Sequence, residues 1–177
     1  ATDWRTPVID PEGGSAPRYN QELFDDILNR AKTYLDSGAG IDGIHFDYIR
    51  WSGGGTNRAS AHDYPDYNVT GTGAITEFCR QAKAGLKAKK ADLILSAAVM
   101  GERNAVSAYG QSPSQMAQYI DVLMPMAYIS SYSYSDAVNV QVADWFVNNG
   151  SPARVWHGIS TYNANSAGLS SAQILHD

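Results

Sequence analysis

The sequence predicts an α/β fold, a partial (β/α)8 TIM-type barrel. Three observations carry that reading. Apolar runs alternate with amphipathic stretches along the whole chain, the pattern of a parallel sheet covered by helices. The runs are nearly continuous in apolar residues, as in strands buried on both faces. No G-x-G-x-x-G or P-loop follows any run, which removes the usual signature of an open nucleotide-binding sheet. A full barrel takes about 250 residues. The 177 residues here hold about five βα units, read as one partial barrel domain over residues 1–177.

The elements follow in order. Arg5–Pro11 is a short apolar run closed by Asp10-Pro11. Leu23, Phe24, Ile27, Leu28, Ala31, Tyr34 and Leu35 recur at helical spacing, with Asn20 as N-cap and Gly38 as stop. Ile41–Trp51 reads as a strand, and Ser52–Gly73 as a glycine-rich loop. A helix over Ala74–Lys90 leads to a strand over Asp92–Met100. Ser112 and Pro113 open a short helix, as cap and first residue. Asp121–Ile129 is a strand, Ser135–Gly150 a helix, Ala153–Ser160 a strand, and Leu169–Asp177 the opening of another helix.

Composition narrows the function. Hydrophobic residues make up 44 % and charged residues 18 %, which is a folded globular balance, and the net charge is -5. The basic cluster Lys83–Lys90 reads as the wet face of a helix, so phosphate-directed nucleic-acid binding has little support. No apolar run approaches the roughly 20 residues of a membrane span. The single cysteine, Cys79, allows no internal disulfide and reads as a buried helix thiol. No signal peptide is legible, which leaves a cytoplasmic chain, a processed one or a fragment.

The most informative stretch is Gly40–Trp51, GIDGIHFDYIRW. Strand side chains alternate, so Ile44, Phe46 and Tyr48 share one face and His45 and Asp47 the other. In a barrel that second face points inward, and its last residue stands at the C-terminal mouth, where active sites of this fold lie. Asp47 is therefore the first candidate for a catalytic carboxylate. The structural alternative is that it bonds backbone amides or pairs with Arg50. His45, one layer deeper, reads as a hydrogen-bonding support.

This strand, followed by ILSAAVMGE and DVLMPMAY, resembles the glycosyl-hydrolase-like proteins, (β/α)8 barrels with a D-G-I-H-F-D-Y-I-R-[FYW]-P strand. The likeness runs from about Thr6 to Tyr162 and implies that the strands are the third to seventh of the barrel. It also implies a glycoside hydrolase. Ser52 stands where the family has Pro, so the loop that shapes the substrate site differs. The family 18 chitinases are similar in architecture, and Asp42-Gly43 and Asp47 match their strand. Ile49 occupies their glutamate position, so their substrate-assisted mechanism does not carry over.

Most glycosidases use two carboxylates. Glu102, just past the next strand, is the candidate acid/base, and Asp47 the nucleophile or transition-state stabiliser. On adjacent strands such residues are expected at the retaining separation of about 5 to 5.5 Å. Glu102 as a loop residue paired with Arg103 is the structural alternative. Asp10, Asp42, Asp63, Asp66 and Asp121 rank below, at turns, in the long loop or at strand starts. His45 and Arg50 are expected to orient Asp47. Trp51, Tyr128, His157 and Tyr162, four of a rich aromatic and imidazole set past strand ends, are expected to line a sugar site.

Two alternatives remain. A non-catalytic carbohydrate-binding or structural module would use the same surface without the carboxylate pair. A metal-dependent polysaccharide deacetylase would gather His45, Asp47, His62, Asp63 and His157 around a divalent ion, at spacings that match no metal motif. The glycosidase reading needs no cofactor and no metal. It takes a carbohydrate substrate, not nucleic acid or membrane, in an extracellular or cell-envelope setting. The rest of the barrel would come from a longer parent chain or a partner chain.

Overall fold

The computed structural model describes residues 9–10, 17–102, 104–128, 135–161, 168 and 170. Strands β1 (Ile9–Asp10) and β2 (Arg18–Tyr19) form an antiparallel pair. Helix α1 (Gln21–Asp36) follows, then β3 (Gly43–Phe46), α2 (Gly71–Lys87) and β4 (Ile94–Met100). The short helices α3 (Ala105–Tyr109) and α4 (Pro113–Met116) lead to β5 (Val122–Met126), α5 (Asp136–Asn149) and β6 (Arg154–Val155). Strands β3 to β6 make one parallel sheet in chain order.

Caps explain the helix starts. The Asn20 side chain accepts from the Leu23 amide at 3.0 Å. Thr70 Oγ1 accepts from Gly73 N at 2.8 Å and starts α2 at Gly71, three residues before the apolar pattern begins. Gly38 (φ 73°) lies just past the Ser37 cap of α1, as a stop signal should.

The first apolar run departs from expectation. Ile9–Asp10 pairs locally with Arg18–Tyr19 and is not a strand of the parallel sheet. The link between them is short, so closing a local pair costs little chain entropy. The described sheet therefore holds four parallel strands rather than five. The expected helix at Leu169–Asp177 lies outside the described residues.

Register decides which side chains share a face. Phe46 pairs with Ala97, Ala98 with Met124, and Leu123 with Val155. Phe46, Leu95, Ala97, Val99 and Leu123 point to the helices and join Leu23, Phe24, Phe78, Ala82 and Phe146 in the core. Phe78 of α2 meets the Phe24 ring of α1 at 5.5 Å and the Phe46 ring of β3 at 5.2 Å, both edge to face. The opposite, inner face carries His45, Ser96, Ala98, Met100, Val122, Met124 and Met126 by alternation.

Cys79 is fully buried on α2. Burial pushes its thiol up from 9.0 to about 12. The folded chain keeps this proton where an unfolded chain has released it. Its contribution is therefore complete below pH 9.0 and is lost as pH rises toward about 12. Thiol labelling at pH 8 is expected to follow global unfolding, with protection that rises with stability and disappears in denaturant. Rapid labelling of the native chain would contradict this packing.

Candidate active site

Asp47 is the first residue past β3 and belongs by alternation to the inner face. It is exposed, and its carboxylate accepts from the Tyr48 amide at 2.7 Å. The regular strand ends there. Tyr48 takes φ 63°, an uncommon conformation for a bulky residue, and Arg50 N donates to Tyr48 O at 2.8 Å. The expected sharing of one face by Phe46 and Tyr48 therefore fails: Phe46 is core, whereas Tyr48 is turned outward and is 55 % exposed. Such outliers persist only where surrounding structure enforces them.

The enforcing contact is Gln111, which is buried. Its Nε2 donates to Ile49 O at 3.3 Å and Ala98 O at 3.1 Å. Its Oε1 accepts from Met100 N at 2.9 Å. One amide thus ties the turn after Asp47 to the end of β4. Nothing in the sequence signals Gln111, because its partners are backbone groups brought close only by the sheet.

His45 is one layer below Asp47, and its Nδ1 lies 2.9 Å from Ser96 Oγ on β4. Among the described residues neither His45 nor Arg50 contacts the Asp47 carboxylate. The support expected of them is instead a link to β4 for His45 and stacking on tyrosines for Arg50. Trp51 departs further from expectation. Its ring is buried against Ile75 and Gly110, stacks on His62 at 4.1 Å, and its indole N–H donates to Gly71 O at 2.8 Å. Its buried ring and its donor serve the loop anchor, so it offers no open surface to a sugar.

Glu102 lies two residues past β4, half-buried, with no side-chain partner among the described residues. Phe46 pairs with Ala97, so Asp47 is level with Ala98, and Glu102 follows four residues further along the chain, beyond the end of β4.

Tyr128 follows β5 on the inner side, and its ring lies against Gly158. His157 falls on the other side. Its Nε2 is 2.6 Å from Oδ1 of buried Asn139 on α5, so it buttresses a helix. The inner-face residue at the end of β6 is Trp156, half exposed; the strand expected over Ala153–Ser160 is regular only at Arg154–Val155. Tyr162 lies outside the described residues. Asp121 is structural, as its place at a strand start predicts: it accepts from Leu95 N and pairs with Lys87 at 2.8 Å. Asp63 accepts from Gly71 N at 3.0 Å. No three His, Cys, Asp or Glu side chains gather as a metal site among the described residues. A cleft of about 510 Å³ lies at the strand starts, lined by Lys87, Ile94, Val122, Arg154 and Trp156 among others. It is at the far end from Asp47, where barrel chemistry is not found.

The family described as "Putative glycosyl hydrolase domain" matches residues 17–155. No curated protein matches the chain. Among solved structures, the spore cortex-lytic enzyme SleL of Bacillus megaterium shares 17 % identity at a TM-score of 0.57, over 81 % of this chain and 30 % of that one. The "putative sporulation-specific glycosylase ydhD" of Bacillus subtilis shares 14 % at 0.57, over 81 % and 44 %. Group II chitinase catalytic domain 2 of Ostrinia furnacalis shares 14 % at 0.54, over 78 % and 39 %. The likeness is one of fold: these are TIM-barrel glycosidases, and this chain spans less than half of each.

Replacing Gln111 by Leu strands Met100 N, Ala98 O and Ile49 O. Unmet buried groups cost about 1–3 kcal/mol each before relaxation. A loss of about 3 kcal/mol in urea-unfolding stability is expected. Gln111→Glu sets an anion against two carbonyls and is expected to recover partly at acid pH, where the protonated side chain regains a donor.

Proposed function

The chain belongs to the family described as "Putative glycosyl hydrolase domain", and from that premise we propose that it cleaves glycosidic bonds in a polysaccharide or glycan. The observation that carries this reading is the placement of Asp47. It is an exposed carboxylate, first past a strand, on the inner face of a partial barrel, beside an enforced backbone outlier. In this reading Asp47 and Glu102 are the working pair. Glu102 protonates the leaving oxygen, and Asp47 activates the attacking water or stabilises the oxocarbenium-like transition state. Tyr128 supplies aromatic surface on the same face, with Tyr162 as a further wall suggested by sequence.

The setting proposed is extracellular or cell-envelope, where such glycans are found and where the cortex-lytic action in the name of one fold neighbour would lie. The remaining barrel units are proposed to come from a longer parent chain or a partner chain. A second reading, a carbohydrate-binding module without catalysis, is favoured by the four-residue offset along the ladder between the two carboxylates.

Asp47→Asn and Glu102→Gln are each expected to lower hydrolysis of a responsive glycan by about 10²–10⁴-fold, the usual worth of a positioned acid or base. Undiminished cleavage by both variants would end the catalytic reading. Retained glycan binding without any cleavage by the unaltered protein would establish the second one.

A further inference from the structure

Arg50 is a half-buried cation without a counter-ion. It lies three residues past Asp47, on the loop that leaves the mouth end of β3. Among the described residues no carboxylate pairs with it. Of its N–H groups, Nη1 reaches Trp51 O at a long 3.3 Å, and Nε is buried without an acceptor. What surrounds it is aromatic: the guanidinium carbon is 4.2 Å from the Tyr48 ring centre and 5.2 Å from that of Tyr109.

That setting is built at a cost. Tyr48 holds its left-handed backbone while its ring covers Arg50. Tyr109 is pressed by Gly53 (φ 84°), where a Cβ would come within 2.1 Å of the ring. Trp51 N donates to Tyr109 O at 3.0 Å and closes the assembly. Strain, a required glycine and two aromatic rings therefore converge on one guanidinium. The rings offset its charge through their π faces but offer no acceptor to its N–H groups. Unmet donors on a partly desolvated cation are expensive. An anion that docks there would reach the terminal Nη edge of the guanidinium, while Nε stays buried under the rings. A planar carboxylate fits the guanidinium fork best, through two parallel bonds. Asp47 is not that partner, because its carboxylate turns to the Tyr48 amide and makes no ion pair with Arg50.

We propose that Arg50, held by Tyr48 and Tyr109, is a subsite for a carboxylate-bearing sugar, of the uronic acid type, adjoining the bond processed at Asp47. The proposal rests on the glycoside reading and adds the substrate class. It explains why Arg50 stacks on tyrosines instead of orienting Asp47.

The test is a binding titration of the full-length protein with matched oligosaccharides: neutral, the same backbone bearing glucuronic acid, and the same backbone bearing sulfate. The glucuronate form is expected to bind about tenfold more tightly than the neutral one, a difference of about 1.4 kcal/mol. Arg50→Gln is expected to bring the two to parity. Arg50→Lys keeps the charge but loses the fork, and is expected to lose several-fold for glucuronate alone. Melting curves establish that each variant is folded, and Arg50→Lys carries the test if Arg50→Gln is not. Equal binding of neutral and glucuronate forms, a preference that survives Arg50→Gln, or a preference for sulfate over carboxylate overturns the subsite and leaves the glycoside reading intact. No binding of any glycan overturns both.

Discussion

The Phe24–Phe78–Phe46 contact joins the three elements on which the mouth depends. Phe78 on α2 touches α1 through Phe24 and β3 through Phe46, edge to face. Aromatic pairs in this geometry contribute beyond the area they bury. More importantly, they fix where β3 lies against its helices, and so the height at which β3 ends. Phe46 is the last residue of that strand and Asp47 the next. A core contact thus sets the position of an exposed carboxylate one residue away.

Above the core, positioning passes from packing to hydrogen bonds. Gln111 ties Ile49 to Ala98 and Met100, and Trp51 ties the same loop to Gly71 on α2. Gly71 itself admits no side chain, since a Cβ would stand 2.2 Å from Ala59 O. Just before these two anchors the chain turns tightly through Tyr48 with positive φ. The backbone there has few ways to relax, which is how a local strain survives. The loop that looks flexible by its glycines is therefore pinned at its base.

The inner face of the sheet has a different character. His45, Ser96, Met124 and Met126 lie there, partly or largely open, and Trp156 extends it at β6. In a barrel such a face is covered by the strands across the lumen. A groove of Ile27, Tyr34, Ile44 and Phe46 lies open beside β3, and a cleft lies open at the strand starts.

The alternation of apolar runs and amphipathic helices, the cap at Asn20, the burial of Cys79 and the place of Asp47 at a strand end are all local properties, and the amino-acid sequence by itself determined them. Period, capping and strand polarity need no knowledge of distant residues. Tertiary structure alone decided the rest. It paired Ile9–Asp10 with Arg18–Tyr19, put Trp51 in the core and His157 against Asn139, set Glu102 four residues above Asp47, and left Arg50 among tyrosines. Each of these depends on register between strands or on contacts across long stretches of chain. A shift of one residue in register exchanges the two faces of a strand, and no local pattern in a strand of two to five residues specifies that shift.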